Sequence, residues 1–265
     1  MSIITLMTDF GLSDGYIGIM KGVIWQIAPQ AQIADLTHEI PSQDILAGAI
    51  TLARCAPFFP AMTVHLGVVD PGVGTSRRTI AARLNDQLFV GPDNGLLTLL
   101  IEKAEREGQK VEFIHLDQPR FWLDRISYSF HGRDVFAPVG AHLANGVPLR
   151  DLGTPIENPV RLAIPKPERT PGGWRGQVLH VDHFGNCATN LGEEQISGIG
   201  QMVIDIKGRK IHNMVKSFGE RQTGELIAMF DSDGRMAIGI VNGSAAGLLH
   251  IRVGDWVEVM TGSSR

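Results

Sequence analysis

Apolar and polar positions alternate in two regimes along the chain. Through residue 162, short apolar runs take turns with longer stretches of helical period. Ile3–Met7 is an apolar run that ends at Thr8-Asp9 and predicts a first strand. A helical pattern follows from Tyr16 to Ala28, stopped by Pro29. Gln32–Leu36 predicts a strand, and Ser42–Cys55 a helix with Ser42 as its N-cap. Thr63–Val69, Thr79–Arg83, Leu88–Val90 and Val111–Leu116 predict strands. Gly95–Gly108 and Asp134–Ala144 predict helices, the first with a glycine stop. Strands alternating with helices predict an α/β domain with a largely parallel sheet over residues 1–162.

Beyond Leu162 the regime changes. The stretch AIPKPERTPGG, residues 163–173, is broken by prolines and reads as a linker. After it the runs are short and strand-like: Gln177–Val181, Gln201–Ile206, Lys210–Met214, Leu226–Phe230, Met236–Ile240 and Trp256–Met260. This predicts a small all-β, barrel-like domain over residues 174–265.

Composition narrows the function. A 43% hydrophobic and 20% charged chain is that of an ordinary globular protein. The net charge of -4, without a basic stripe, argues against nucleic acid as a partner. No apolar run approaches the ~20 residues of a membrane span. The opening MSIITLMTDFG lacks a signal peptide's charged region and cleavage site. Cys55 and Cys187 form no CxxC pair. The expectation is a reduced, cytoplasmic protein.

Polar residues gather where α/β sheets bind ligands, beyond the carboxyl ends of strands. Asp9, in TDFGLSDGY, follows the first strand, where a carboxylate can accept both hydrogen bonds of a ribose diol. The plain alternative is a cap on the next helix. Asp70, in VVDPGVGTSRR, precedes a Pro-Gly turn followed by Arg77 and Arg78, so an arginine can fold back onto it. The alternative is a surface turn with a salt bridge. His131 stands between Phe130 and a glycine before a helix; a lone histidine is a structural residue unless an Asp and an Arg lie beside it. The PDNG turn at Pro92–Gly95 reads as scaffolding. In HVDHFGNCATN, Asp182, Phe184 and Asn186 form one compact loop whose aromatic face and amide suit a purine, or else a simple β-turn. Neither a GxGxxG nor a P-loop motif occurs.

Together TDFG (Thr8–Gly11), VVDPGVGT (Val68–Thr75), PDNGLLT (Pro92–Thr98), FHGRDVFAP (Phe130–Pro138) and DHFGN (Asp182–Asn186) resemble the S-adenosyl-L-methionine hydrolase family, hydroxide-using relatives of the fluorinating and chlorinating enzymes. The resemblance covers nearly the whole chain. It implies that water cleaves S-adenosyl-L-methionine (SAM) to adenosine and L-methionine, with no cofactor beyond the substrate and no metal. It matches Asp70, Arg77 and His131 to a water-activating trio and Asp9 to the ribose hydroxyls. Phe130 and Phe184 match positions around the nucleoside, Asn186 and Asn242 the adenine side, and Asp182 and Ser232 the methionine side. It also implies a homotrimer with sites between subunits.

Two departures separate the chain from the halogenating relatives, which carry a tyrosine in place of Asp70 and lack a histidine at His131. The segment Arg83–Leu88 is also too short to hold the fluorinating type's insertion, and Asp233 stands where that type has an arginine. The negative charge at Asp70 is expected to repel halide. Two readings compete: a metal-dependent phosphatase using Asp9, Asp14, Asp70 and His131 as ligands, and a nucleoside-binding sensor without turnover.

Overall fold

The computed structural model describes residues 2–262. The outer limits of the expected domains, residues 1 and 265, lie outside them. The chain divides into two compact units, one ending at Leu162 and the other beginning at Ala163.

The first unit contains β1 (Ile3–Thr8), α1 (Tyr16–Ile27), β2 (Gln32–Thr37), α2 (Ile45–Cys55), β3 (Val64–Val68), β4 (Thr79–Leu84), β5 (Gln87–Pro92), α3 (Thr98–Arg106), β6 (Val111–Leu116), α4 (Ala137–Ala144) and β7 (Gly153–Ile156). Its seven strands form one sheet in the order β2-β1-β3-β5-β4-β6-β7. β2, β1, β3 and β5 run parallel. β4, β6 and β7 add antiparallel pairings. The expected largely parallel sheet is therefore present, with an antiparallel flank. Both faces are covered, which is why β1 and β3 read as nearly unbroken apolar runs. Ile4 and Leu6 pack with Met20, Ile24 and Val139 on one face. Met7 packs with Leu52, Leu96 and Ile101 on the other. Each such fully buried side chain contributes about 1.5–3 kcal/mol.

Strand order reverses direction between β1 and β3. β1 leads out to β2 on one side while β3 lies on the other, and Thr8 is in register with Val68. The loops carrying Asp9 and Asp70 thus leave the sheet side by side at a topological switch point, where ligands bind in open α/β sheets.

Two expected helix starts are corrected. α2 begins at Ile45, and its cap is Asp44, whose side chain accepts from Ala47 N at 2.9 Å. Ser42 cannot cap it because Gln43 sits at φ 65°, outside the helical region. The helix expected from Asp134 is instead a wide π-type turn over Gly132–Phe136 that runs into α4. Such turns recur at functional sites.

The second unit contains β8 (Glu168–Thr170), β9 (Gly173–Val181), β10 (Cys187–Gly192), α5 (Glu193–Ile196), β11 (Met202–Ile206), β12 (Arg209–His212), β13 (Leu226–Phe230), β14 (Arg235–Ile240), α6 (Ala245–Leu249) and β15 (Trp256–Thr261). The sheet order is β12-β11-β15-β9-β10-β14-β13, with β8 on β9. Every pairing is antiparallel. Val215, just past β12, donates to the Ala228 carbonyl of β13 at 2.9 Å, which nearly closes a barrel around Val178, Ile204, Ile238 and Val257. The stretch expected as a linker thus carries β8, because a three-residue edge strand lies between its prolines. β10 was not expected either: its small polar residues read as part of the preceding loop. Among the described residues, no helix is long and apolar enough to cross a membrane.

Candidate active site

Asp70 leaves the end of β3, and the chain turns back through Gly72 and Gly74 so that Arg77 meets it. Arg77 Nε donates to Asp70 Oδ1 at 2.8 Å, and Nη2 donates to Oδ2. The same Nη2 lies 2.9 Å from His131 Nδ1. A guanidinium only donates, so Nδ1 accepts and the imidazole proton resides on Nε2. The side chains of Asp70 and Arg77 are 5% and 10% exposed, so a bidentate pair here is held far more tightly than on the surface. Burial, then the Arg77 charge, lower the His131 pKa, partly opposed by Asp70 and Asp134. His131 is therefore neutral near pH 7.

One contact sets this loop against the segment bearing His131, and a second braces that segment internally. Gly74 sits at φ 78°, and a Cβ there would lie 2.2 Å from the Tyr128 carbonyl oxygen, so only glycine lets the loops meet. Asp134, fully buried, accepts from Ser127 N and Ser127 Oγ at 2.8 Å each and from Arg133 Nε at 2.5 Å. Burial pushes its carboxyl up, but these bonds outweigh that and hold it below the ordinary carboxylate range. Phe130 meets Phe10 and Tyr16 edge-to-face, with centroids 5.9 and 5.2 Å away. That makes an aromatic wall on the Asp9 side of the sheet edge.

Asp9 does not cap α1; its Oδ2 accepts from Gln43 N at 2.8 Å and ties the first loop to the entrance of α2. Behind it lies a chain of contacts that residue patterns did not reveal. Phe10 N donates to Thr8 Oγ1 at 3.2 Å, which lies 2.9 Å from His38 Nδ1. His38 Nε2 is 3.2 Å from Asp35 Oδ1, and the His38 carbonyl accepts from Gly11 N at 2.8 Å. Phe10 and Tyr16 stood inside a recognised segment; His38, a lone histidine in an ordinary stretch, carried no signal.

In the second unit Asp182 and Asn186 bind each other. Asn186 N and Nδ2 donate to Oδ1 and Oδ2 of Asp182, both at 2.8 Å. Gly185, at φ 82°, packs on Ser244, and the Asn186 amide oxygen lies against Gly239. The loop presents Phe184, 72% exposed. Asn242 follows β14 at φ 53° and donates through Nδ2 to Thr223 Oγ1 at 2.9 Å. Ser232 is not brought to this group. It lies in the Asp231–Gly234 turn, at the other end of β14 from Asn242, because β13 and β14 form a hairpin whose two ends are a strand length apart.

The residues of the phosphatase reading do not assemble. Both Asp70 oxygens face Arg77. Among the described residues no three His, Cys, Asp or Glu side chains form a metal-holding group.

Residues 4–153 match the family model of the SAM hydroxide adenosyltransferase N-terminal domain, and residues 176–258 that of its C-terminal domain. The chain is 40% identical over 267 residues to the (R)-S-adenosyl-L-methionine hydrolase of Salinispora tropica, with 98% of each covered. It is 37% identical to that of Thermus thermophilus, over 96% of this chain and 98% of the other. A crystal structure of an uncharacterized conserved protein from Thermotoga maritima is similar with a TM-score of 0.89 at 35% identity, covering 97% of this chain and 99% of that one. On both halves of its length, the chain belongs to the SAM hydroxide adenosyltransferase family.

Proposed function

We propose that this protein hydrolyses SAM to adenosine and L-methionine by attack of water at ribose C5′. One observation carries the reading. Arg77 grips Asp70 and His131 with Nε and Nη2, while its buried Nη1 has no hydrogen-bond partner among the described residues. A buried donor left unmade is costly, so it marks a place for an acceptor brought by substrate or water.

The chemistry fits such a site. The sulfonium leaves as a neutral thioether and needs no acid. Opposite charges on nucleophile and electrophile cancel as they meet, which a dry site favours. The task is to activate the water, whose pKa is about 15.7 in bulk. Nη1 stabilises its oxygen as charge develops there. Asp70 uses two of a carboxylate's roughly four lone-pair sites on the Nε and Nη2 edge of Arg77 and takes the proton with another, through a bridging water because Nη1 lies on the opposite edge. The C5′–O bond forms as the C5′–S bond breaks, and sulfur keeps the electron pair. His131, neutral and accepting from Nη2, orients the guanidinium. Asp9 binds the ribose diol and Phe130 walls the nucleoside. Phe184, Asn186 and Asn242 serve the adenine and Asp182 the methionine, on the same reading.

Because Arg77 neutralises Asp70, charge repulsion alone does not turn halide away; a halide, though, has no proton for Asp70 to take. Incubation with SAM in ¹⁸O-water is expected to release adenosine labelled at the 5′-hydroxyl, with no 5′-halo-5′-deoxyadenosine at high chloride or fluoride. Unlabelled adenosine, or a halogenated nucleoside formed at a comparable rate, overturns the mechanism. Release of no adenosine favours the sensor reading. The same reading has three copies assembling, acting in the cytoplasm, with sites completed between subunits. Light scattering then gives three times the 28.8 kDa chain mass.

A further inference from the structure

The PDNG turn after β5 touches none of the groups assigned to the reaction. Its two polar side chains nevertheless reach both stems of the loop that carries Asp70 and Arg77. Asn94 Nδ2 donates to the carbonyl of Val69, the residue before Asp70, at 2.8 Å. Its Oδ1 accepts from Leu96 N at 3.2 Å, which holds the amide in place. Asp93 grips the other stem at Arg78, the residue after Arg77. Its carboxylate accepts from Arg78 Nε at 2.7 Å, and its N–H donates to the Arg78 carbonyl at 3.0 Å. The Asp93 side chain is only 1% exposed and also accepts from Val160 N at 2.8 Å. Asn158 holds the far side of the Arg78 guanidinium through Oδ1 at 2.9 Å and its carbonyl at 2.6 Å.

We infer that Asp93 and Asn94 are positioning residues for the reaction: together they set the separation of the two loop stems, and so the geometry at which Arg77 meets Asp70 and His131. A loop containing Gly72 and Gly74 has wide backbone freedom if its ends are loose. A reacting constellation must be held within about 0.5 Å and 10–20°. A cap on the following helix would need only the Asn94 oxygen. The Nδ2 bond to Val69 and the burial of a charged Asp93 against Arg78 are aimed at the loop instead.

The rate consequence rests on the hydrolase reading, and the test separates the two. Asn94→Asp keeps the acceptor for Leu96 N and puts an oxygen where the donor to Val69 was. Adenosine release by this variant is expected to show kcat lower by about 10²-fold with KM nearly unchanged, the scale of a small misplacement of reacting groups. Arg78→Lys keeps the charge beside Asp93 but loses the fork, and is expected to give the same split at about tenfold. In protein labelled with ¹⁵N-arginine, the Arg77 Nε–H signal, assigned by its loss in Arg77→Lys, is expected to be exchange-protected in wild type and unprotected in both variants. Unchanged kcat with a protected Arg77 signal overturns the inference, as does a rise in KM alone or failure of both variants to fold. If wild type releases no adenosine, the hydrolase reading falls, and the Arg77 signal still decides whether the turn positions the loop.

Discussion

The loop 70–78 with His131 and the loop 182–186 meet their polar requirements in opposite ways. In the first, Arg77 joins Asp70 to a histidine 54 residues away, and Gly74 must lie against Tyr128 for the two segments to meet. In the second, Asp182 and Asn186 satisfy each other four residues apart and leave Phe184 in solvent. The contrast suits the roles that the proposed function gives the two loops. Buried groups that act on a reacting atom need orientation from several strand ends, because no local turn can hold them closely enough. A recognition loop needs only a stiff local frame that presents a face. Damage to the first should therefore spread through its network, and damage to the second should stay where it is made.

Four measurements sharpen or break that contrast. The largest effect is expected from Asp70→Ala: turnover falls by at least ~10²-fold with modest loss of substrate affinity, since the proposed mechanism gives the carboxylate the water's proton. Its loss also strands the Arg77 charge, so a lower melting temperature should accompany it. Equal losses in affinity and turnover would move Asp70 into the binding role. Next comes Asp9→Asn, for which binding should weaken by roughly 1.5–3 kcal/mol, the scale of a charge-assisted hydrogen bond. An asparagine oxygen still accepts from Gln43 N, so the fold should hold. Equal competition by adenosine and 2′-deoxyadenosine against wild type would remove the diol contact.

Phe184→Ala should be confined to binding, weakening it by about 1–3 kcal/mol through lost stacking on the base. Its unfolding free energy should stay within about 0.5 kcal/mol of wild type, because the ring is exposed. A broad loss of stability would show that this loop, too, is structurally coupled. The smallest expected effect is in the pH dependence of stability. The His131 pKa is lowered by folding, chiefly by burial and then by Arg77. Above the ordinary histidine value of 6.5 neither state is protonated and the contribution is complete. As pH falls below it, the unfolded chain binds the proton first, and stability drops until the folded pKa is passed. Urea titrations should show this acid slope in wild type and a shallower one in His131→Gln. Identical slopes would mean that Arg77 and burial do not oppose protonation there.

Much of the frame could be read from residue patterns, since strands buried on both faces must be apolar throughout and helices must repeat their apolar face. β1, β6 and β13 have the expected extents to within a residue. Patterns faltered where one residue's conformation overrides its neighbours. Gln43 at positive φ delays α2, and the wide turn at Gly132–Phe136 replaces the first turn of a regular helix. β8 hides between prolines and β10 among small polar residues, because strands take their stability from partners that a linear reading does not see.

Residue order alone is enough to place residues at strand ends, to mark glycines that permit close approach, and to carry the motifs that resemble the family. Local chemistry and periodicity suffice for those. The adjacent arginines mark where it stops. Nothing in their order says that Arg77 turns to Asp70 and His131 while Arg78 turns to Asp93 and Asn158. Nor does order reveal that His38 lies behind Thr8, or that Ser232 and Asn242 end up a strand apart. Those pairings were decided by strand order and register in the tertiary structure. A hydrogen bond between residues far apart in sequence depends on a separation that only the folded sheet sets, and a change of one residue in register turns every side chain to the other face.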